Sequence, residues 1–351
     1  MIKKLTIPPG LKDESTSLAA GPSWHSVSNV RFRGGYAESI GGWTDSGTET
    51  TYQGVASDML GAARGVFTWS DYSSRRLGCV GTNWKFYAIG GLTAVDVTPI
   101  RSTISAGTTV QFTPVNESDE LIVNHTDHGA VVGDFVTFGG SATMSGNISA
   151  AMINQEHQII SVTGPNAYKV KLTVSANSTD AGGAPKGGSS VTASYQVNVG
   201  QPDQVMSGWG EGFWDGSGLG WDYALALSVI TDEIRQVFMD NYNEDLIICS
   251  RGGPLYYYDV SANINSNTGL PETGVNNRAQ SLDSFSGSAQ VPTKVDSFLV
   301  SERDGHCIGF GCNDINADTQ NSLLVRWSDQ NNPFDWEPTA VNTAGGQMLR
   351  V

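Results

Sequence analysis

The chain has 351 residues, room for one large domain or two to three ordinary ones, and it can bury a core without disulfide or metal staples. Glycine is abundant at 42 residues, charged residues make up only 16%, and 20 basic against 35 acidic side chains give a formal net charge of −15. That balance argues against a tight nucleic-acid binder, which needs clustered Lys and Arg to displace counterions; here the basic runs are the pairs Lys3-Lys4 and Arg75-Arg76.

Residues 1–105 give short runs of strand type broken by Gly and Asn. "NVRFRGGYAESIGGW" (Asn29 to Trp43) reads as strand, Gly-Gly turn, strand, and a second Gly-Gly at Gly41-Gly42. "ARGVFTWSD" (Ala63 to Asp71) is a strand ending in a turn. "RLGCVGTNWKFYAI" (Arg76 to Ile89) is a hairpin around Gly81-Thr82-Asn83. Gly and Asn suit the positive φ angles of such turns.

Residues 106–200 change character. Lys and Arg nearly vanish, Trp is absent, and Thr, Ser, Val and Asn dominate. "HGAVVGDFVTFGG" (His128 to Gly140) and "HQIISVTGPNAYKVKLTV" (His157 to Val174) have strand–turn–strand patterns. "STDAGGAPKGGSS" (Ser178 to Ser190) reads as a loop. The zone looks like a small β module inserted into a larger body.

Residues 201–351 return to the first style. "SGWGEGFWDGSGLGWDYAL" (Ser207 to Leu225) is Gly and Trp punctuation. "ALALSVITDEIRQVFMD" fits a helix or a strand. "EDLIICSRGGPLYYYD" (Glu244 to Asp259) is a hairpin, and "TKVDSFLVSERDGHCIGFGCN" (Thr293 to Asn313) is another, turning at Arg303-Asp304-Gly305. The outer zones echo each other: "VFTWSD" and "LVRWSD" both end an apolar strand in Trp-Ser-Asp. Repeated strands with Trp and Gly punctuation point to a β-propeller, and blades of roughly 40 to 50 residues give about five or six in the outer zones. In this reading Trp327 covers a blade edge, Asp329 caps the turn, and Pro333 ends the ladder pairing before Trp336. A binding patch is the sharper alternative for the same stretch.

Four cysteines, Cys79, Cys249, Cys307 and Cys312, lack the paired spacing of a zinc site and read as buried or free thiols. The N-terminus "MIKKLTIPPGLKDES" has no apolar core of the secretory type, and no apolar run reaches the roughly 18 residues of a membrane span. The chain is expected to be made in a cytoplasm, with no encoded export signal and no membrane span.

The motifs "NVRFRGGYAESIGGW", "EDLIICSRGGPLYYYD" and "LLVRWSDQNNPFDWEPTAVNTAGG", with "VNVGQPDQVMSGWGEGFWDGSGLGW" in matching order, resemble the tail nozzle proteins of short-tailed phages, also known as phage stabilisation proteins. The resemblance extends over nearly the whole chain. Its family-motif positions are Arg31, Phe32, Gly41, Gly42, Trp43, Gly252, Gly253, Arg326, Trp327, Asp329, Pro333 and Trp336. Family members continue past the point where this sequence stops, which leaves propeller closure within it open. The resemblance implies an all-β fold, a propeller-like body carrying the inserted module. It implies a virion protein forming a homo-oligomeric ring, typically a hexamer, below the tail adaptor protein. Tail fibres or spikes are further implied partners, and double-stranded DNA is held and then passed through without sequence-specific contact. An acidic lumen would repel the phosphates during passage. The module is the expected outward docking element.

Candidate chemistry is sparse. His125 and His128 could hold a metal only in a loop, because residues three apart on a strand face opposite ways; the plain alternative is a polar turn. Asp232-Glu233 and Glu244-Asp245 could serve a glycosidase but lie in no recognisable motif. No "GxSxG" elbow is present, and the Gly-rich runs lack the strand-before, helix-after setting of a dinucleotide fold. Trp209, Trp214 and Trp221 could stack on a sugar or pack between blades. No cofactor, metal or catalytic residue is therefore expected. The rival readings are a receptor- or glycan-binding tail protein and a propeller glycoside hydrolase.

Overall fold

The computed structural model describes residues 30–39, 50–52, 55–91, 93–145, 147–179, 186–200, 235–264, 271 and 277–350, with Trp24 and Val27 besides. Two compact units divide the chain after Gly47. In the first, strands β1 (Val30–Arg33) and β2 (Tyr36–Ser39) form the expected antiparallel hairpin. Gly34 and Gly35 turn it with φ of 57° and 84°, a region that costs other residues a Cβ clash. The Trp24 and Phe32 rings lie 6.0 Å apart.

The second unit is all-β in its described sheets and opens with a short hairpin of β3 (Thr50–Tyr52) and β4 (Val55–Ser57). Three four-stranded antiparallel meanders follow, each the construction of a propeller blade. The first comprises β5 (Ala63–Ser70), β6 (Arg76–Thr82), β7 (Phe86–Gly90) and β8 (Thr93–Asp96). An inserted sheet then intervenes. It contains β9 (Ile100–Gly107), β10 (Gln111–Pro114), β11 (Glu120–Asn124), β12 (Phe135–Gly139), β13 (Glu156–Gly164), β14 (Ala167–Lys171) and β15 (Val191–Gln196). The second blade has β16 (Val237–Tyr242), β17 (Asp245–Ser250), β18 (Leu255–Tyr258) and the two-residue β19 (Gln280–Ser281). The third has β20 (Ser297–Ser301), β21 (His306–Phe310), β22 (Leu324–Trp327) and β23 (Gly345–Met348). Three such blades stand among the described residues, against the five or six suggested by repeat length.

Burial explains the difference in pattern between blades. On β17 and β18 the runs "LIIC" and "LYYY" are apolar without alternation, because the second blade is covered on both faces. Leu246, Ile248, Tyr256 and Tyr258 join Trp69, Leu77, Cys79 and Phe86 of the first blade in one core. Ile247, Cys249, Leu255 and Tyr257 join Phe298, Cys307, Cys312 and Trp336 of the third in another. Strand β21, covered on one face, alternates between buried and half-buried positions. Each fully buried large side chain contributes about 1.5–3 kcal/mol, so these two seams dominate the body's stability.

The first strand of each blade lies beside that of the next. A Cβ on Gly65 would sit 2.4 Å from the Val237 carbonyl oxygen, and one on Gly81 would sit 2.5 Å from Val237 Cγ1. Glycine at both places lets β16 close against β5 and β6. Hairpin tips are tied in the same sequence. Trp69 Nε1 donates to the Glu244 carbonyl at 2.8 Å, and the Tyr242 hydroxyl donates to the Gly305 carbonyl at 3.3 Å.

The inserted sheet is antiparallel throughout, in the order β10-β11-β14-β13-β12-β15-β9, over its own core of residues such as Phe112, Val136, Ile159, Tyr168 and Tyr195. It runs from Ile100 to Gln196, so it starts before residue 106. The mixed run "IRSTISAG" pairs with β15 rather than with the first blade. Val197 N donates to the Pro99 carbonyl at 2.9 Å where the chain leaves and re-enters the body. The expected hairpin over His128 to Gly140 is corrected: its second half alone is a strand. Gly129 and Gly133 take φ of 59° and 92°, and the Asp134 carboxylate accepts from Val131 N, so His128 to Asp134 turns instead.

Candidate functional site

The root of the inserted sheet holds a buried quartet of charges drawn from three elements. Lys85, from the β6–β7 turn, is 2% exposed. Its ammonium bonds Asp96 at the end of β8 (2.6 Å) and Glu156 at the start of β13. Arg278, just before β19, reaches Asp96 at 2.9 Å and Glu156 at 3.6 Å. Gln196, the last residue of β15, donates to Asp96 at 3.1 Å and also to Glu156. First blade, inserted sheet and second blade therefore meet on two cations and two carboxylates.

The local sequence accounts for this geometry. Thr82 Oγ1 accepts from Trp84 N and Lys85 N, which folds the turn so that Lys85 points inward. Burial by itself would raise Asp96, but Arg278 and Lys85 outweigh it and hold the carboxyl below its usual range. Glu156 is pushed up by burial, offset in part by Lys85, and Asp96's charge adds to the rise. The arrangement locks parts together; both carboxylates are committed to cations.

A cleft of about 740 Å³ opens beside this root, between β9 and the outer edge of the second blade. Arg101, Ser102, Thr103, Tyr256, Gln280 and Asp283 are among its lining residues.

The family-motif positions fall in separate places. Arg31 and Phe32 lie on β1, where Arg31 pairs with Glu38 at 2.9 Å. Gly41, Gly42 and Trp43 lie outside the described residues, as do Trp209, Trp214, Trp221, Asp232 and Glu233. Gly252, at φ 74°, and Gly253 form the turn between β17 and β18. The remaining five meet at the third blade. Arg326 is buried and donates to the carbonyls of Asn313, Gln290 and Trp336. Trp336 is fully buried, and its Nε1 donates to the Pro333 carbonyl at 2.7 Å. Trp327 Nε1 donates to the Thr343 carbonyl, and Asp329 Oδ1 accepts both N–H and hydroxyl of Thr343 at 2.8 and 2.7 Å. At the other Trp-Ser-Asp, Asp71 Oδ1 accepts from Arg75 N at 2.8 Å.

The candidate chemical groups are also engaged. His125 Nδ1 lies 2.7 Å from the Tyr195 hydroxyl, which lies 2.8 Å from that of Tyr168. His128 Nδ1 accepts from Ala130 N, and its Nε2 meets the Gly164 carbonyl at 3.0 Å. Burial lowers His125, and the neighbouring charges of His128 and Arg101 add to this. Asp245 accepts from the Tyr257 hydroxyl and from Val260 N. All four cysteines are free and buried. Among the described residues no group of three His, Cys, Asp or Glu side chains is placed to hold a metal ion, and no helix is long and apolar enough to cross a membrane.

Sequence reasoning missed the quartet. One signal was available: Lys85 is flanked by Trp84 and Phe86 in an otherwise apolar run, where a charge needs a buried partner.

No protein-family model matches the chain, and no curated protein matches it. Among solved structures it is similar to the phage phi92 endosialidase, at 13% identity and a TM-score of 0.22. The likeness covers 75% of this chain and 36% of that one, so the chain spans about a third of that protein's length. A TM-score of that size does not establish a shared topology.

Proposed function

We propose that the chain is a structural virion protein, a tail nozzle subunit that works by assembly rather than by turnover. The observation that carries this reading is the buried quartet, which fixes a self-contained sheet rigidly to a row of blades. A rigid outboard element on a stiff body suits a scaffold that docks other components. The order of the sequence motifs supports the nozzle in particular. Copies of the chain would form the ring, an arrangement natural to a conduit, with the adaptor above and fibres or spikes at the inserted sheet. The net charge of −15 suits a lumen through which DNA slides without sticking. Of the Glu244-Asp245 pair, Asp245 is engaged by the Tyr257 hydroxyl and Val260 N, which suits a turn-holding role at that position.

Immunogold electron microscopy on particles of the encoding virus tests the proposal. Gold clustered at the tail tip is expected. Gold along fibres would replace it with the receptor-binding reading, and unlabelled particles that also lack the denatured chain would remove it from the virion.

A further inference from the structure

The two edges of the inserted sheet are treated differently. At one edge, β10 ends in Pro114, and Phe112 N donates across to the Lys186 carbonyl at 3.4 Å. Proline and a covering segment are the usual protection of an edge against strand pairing. At the other edge, β9 is eight residues long and pairs with β15 alone. Among the described residues no backbone hydrogen bond reaches the outer side of Ile100 to Gly107. Every second residue there presents an N–H and a C=O with no strand beside it.

This edge borders the cleft of about 740 Å³, with Ile100 to Thr103 along one wall and Tyr256, Gln280 and Ser281 across from them. Ser102, Thr103 and Ser281 are small, so a backbone can come close. The lining is cationic in an acidic chain: Arg101 and Arg278 face one acid, Asp283. Arg278 is held by Asp96; Arg101 donates to the His128 carbonyl at 3.0 Å and lies 3.9 Å from the Asp134 carboxylate, yet its side chain keeps 28% of its surface exposed.

From this juxtaposition we propose that β9 is a strand-addition site: an extended segment of a partner protein, carrying a carboxylate, pairs with the outer edge of β9 inside the cleft. Main-chain bonds to β9 supply most of the affinity, and Arg101 receives the carboxylate. The inference stands apart from the nozzle reading and concerns how this sheet holds a partner.

The probe is an acetylated and amidated octapeptide of alternating Thr and Val with one central Asp, titrated into the full chain. Hydrogen exchange follows the amides. Saturable binding with slowed exchange at residues 100–105 is expected. Two isomers, N-methylated on alternate sets of amides, divide the outcome further: one should lose tenfold or more in affinity and the other should not. An Asp→Asn peptide should bind several-fold more weakly. No saturable binding at millimolar peptide would overturn the proposal. So would equal binding by both methylated isomers, or protection at Tyr256 and Gln280 without any on β9.

Discussion

The ammonium of Lys85, rooted in the first blade, lies 4.2 Å from the centre of the Phe135 ring, rooted in the inserted sheet. The same ammonium meets carboxylates from both elements. One side chain therefore joins body and module by an ion pair on one side and a ring face on the other.

Lys85→Met keeps the stem and leaves Asp96 and Glu156 with Arg278 as their remaining cation. Removing one partner of a buried pair costs about 3–5 kcal/mol, because the other charge stays buried. Denaturant unfolding should show a loss of that order, and Lys85→Met with Glu156→Gln should recover part of it. A loss below about 1 kcal/mol in the single variant would show that the quartet is not what fixes the sheet.

Gly65→Ala should destabilise by about 1–3 kcal/mol, since its Cβ would meet backbone of β16 that cannot move independently. Gly78→Ala is the control. Its Cβ would stand 3.7 Å from Ile89, an ordinary contact, and the change should be neutral or slightly stabilising. Equal melting temperatures for the two variants would contradict close packing of the first strands.

Trp336→Ala should cost about 3–5 kcal/mol, the range for emptying a fully buried aromatic site. Trp327, half-buried on β22, should cost less when truncated, although it shares the motif. Calorimetry on the pair separates core anchor from edge cover, and the reverse ranking would refute the division.

Two turn carboxylates contribute to the acid limit, beside the buried Asp96. Thr343 donates through its N–H and hydroxyl to Asp329 and holds that carboxyl below its usual range. Burial would raise Asp71, but backbone and side chain of Arg75 outweigh it and lower it too. A lowered carboxylate adds stability that is present above its unfolded value near 3.8 and lost as pH falls through the folded value. Stability should therefore decline below about pH 4, and Asp71→Asn with Asp329→Asn should flatten that decline. An unchanged acid limb in the double variant would assign it to other groups.

All four thiols should resist a water-soluble disulfide reagent until the chain unfolds. Cys312, pushed up to about 11 mainly by burial, should remain protonated at pH 8. Any thiol that reacts at native rates would mark a core that opens locally.

Local chemistry made much of the fold legible. Gly34-Gly35, Gly252 and Gly305 sit at turns with positive φ, and the hairpins stand where these residues announced them. The apolar runs of β17 and β18 marked strands, although their unbroken character also meant burial on two faces. What stayed hidden depends on distant meetings. Lys85 and Glu156 are 71 positions apart, and neither shows its partner locally. The pairing of β11 with β14 skips two intervening strands, which no alternation pattern specifies. Strand β9 straddles the expected zone boundary at residue 106, because its mixed polarity gives no direction for its edge.

The tie from Trp69 to Glu244 spans 175 positions, with the inserted sheet made in between. At roughly 5–20 residues per second, a ribosome takes about ten to thirty-five seconds to cover that distance. Through that interval the nascent first blade holds Trp69, Leu77, Cys79 and Phe86 without the strands that will cover them. The inserted sheet has its own core and can close meanwhile. Birth order thus reverses the architecture: the appendage matures before its host, and the half-made host is the species that needs shelter.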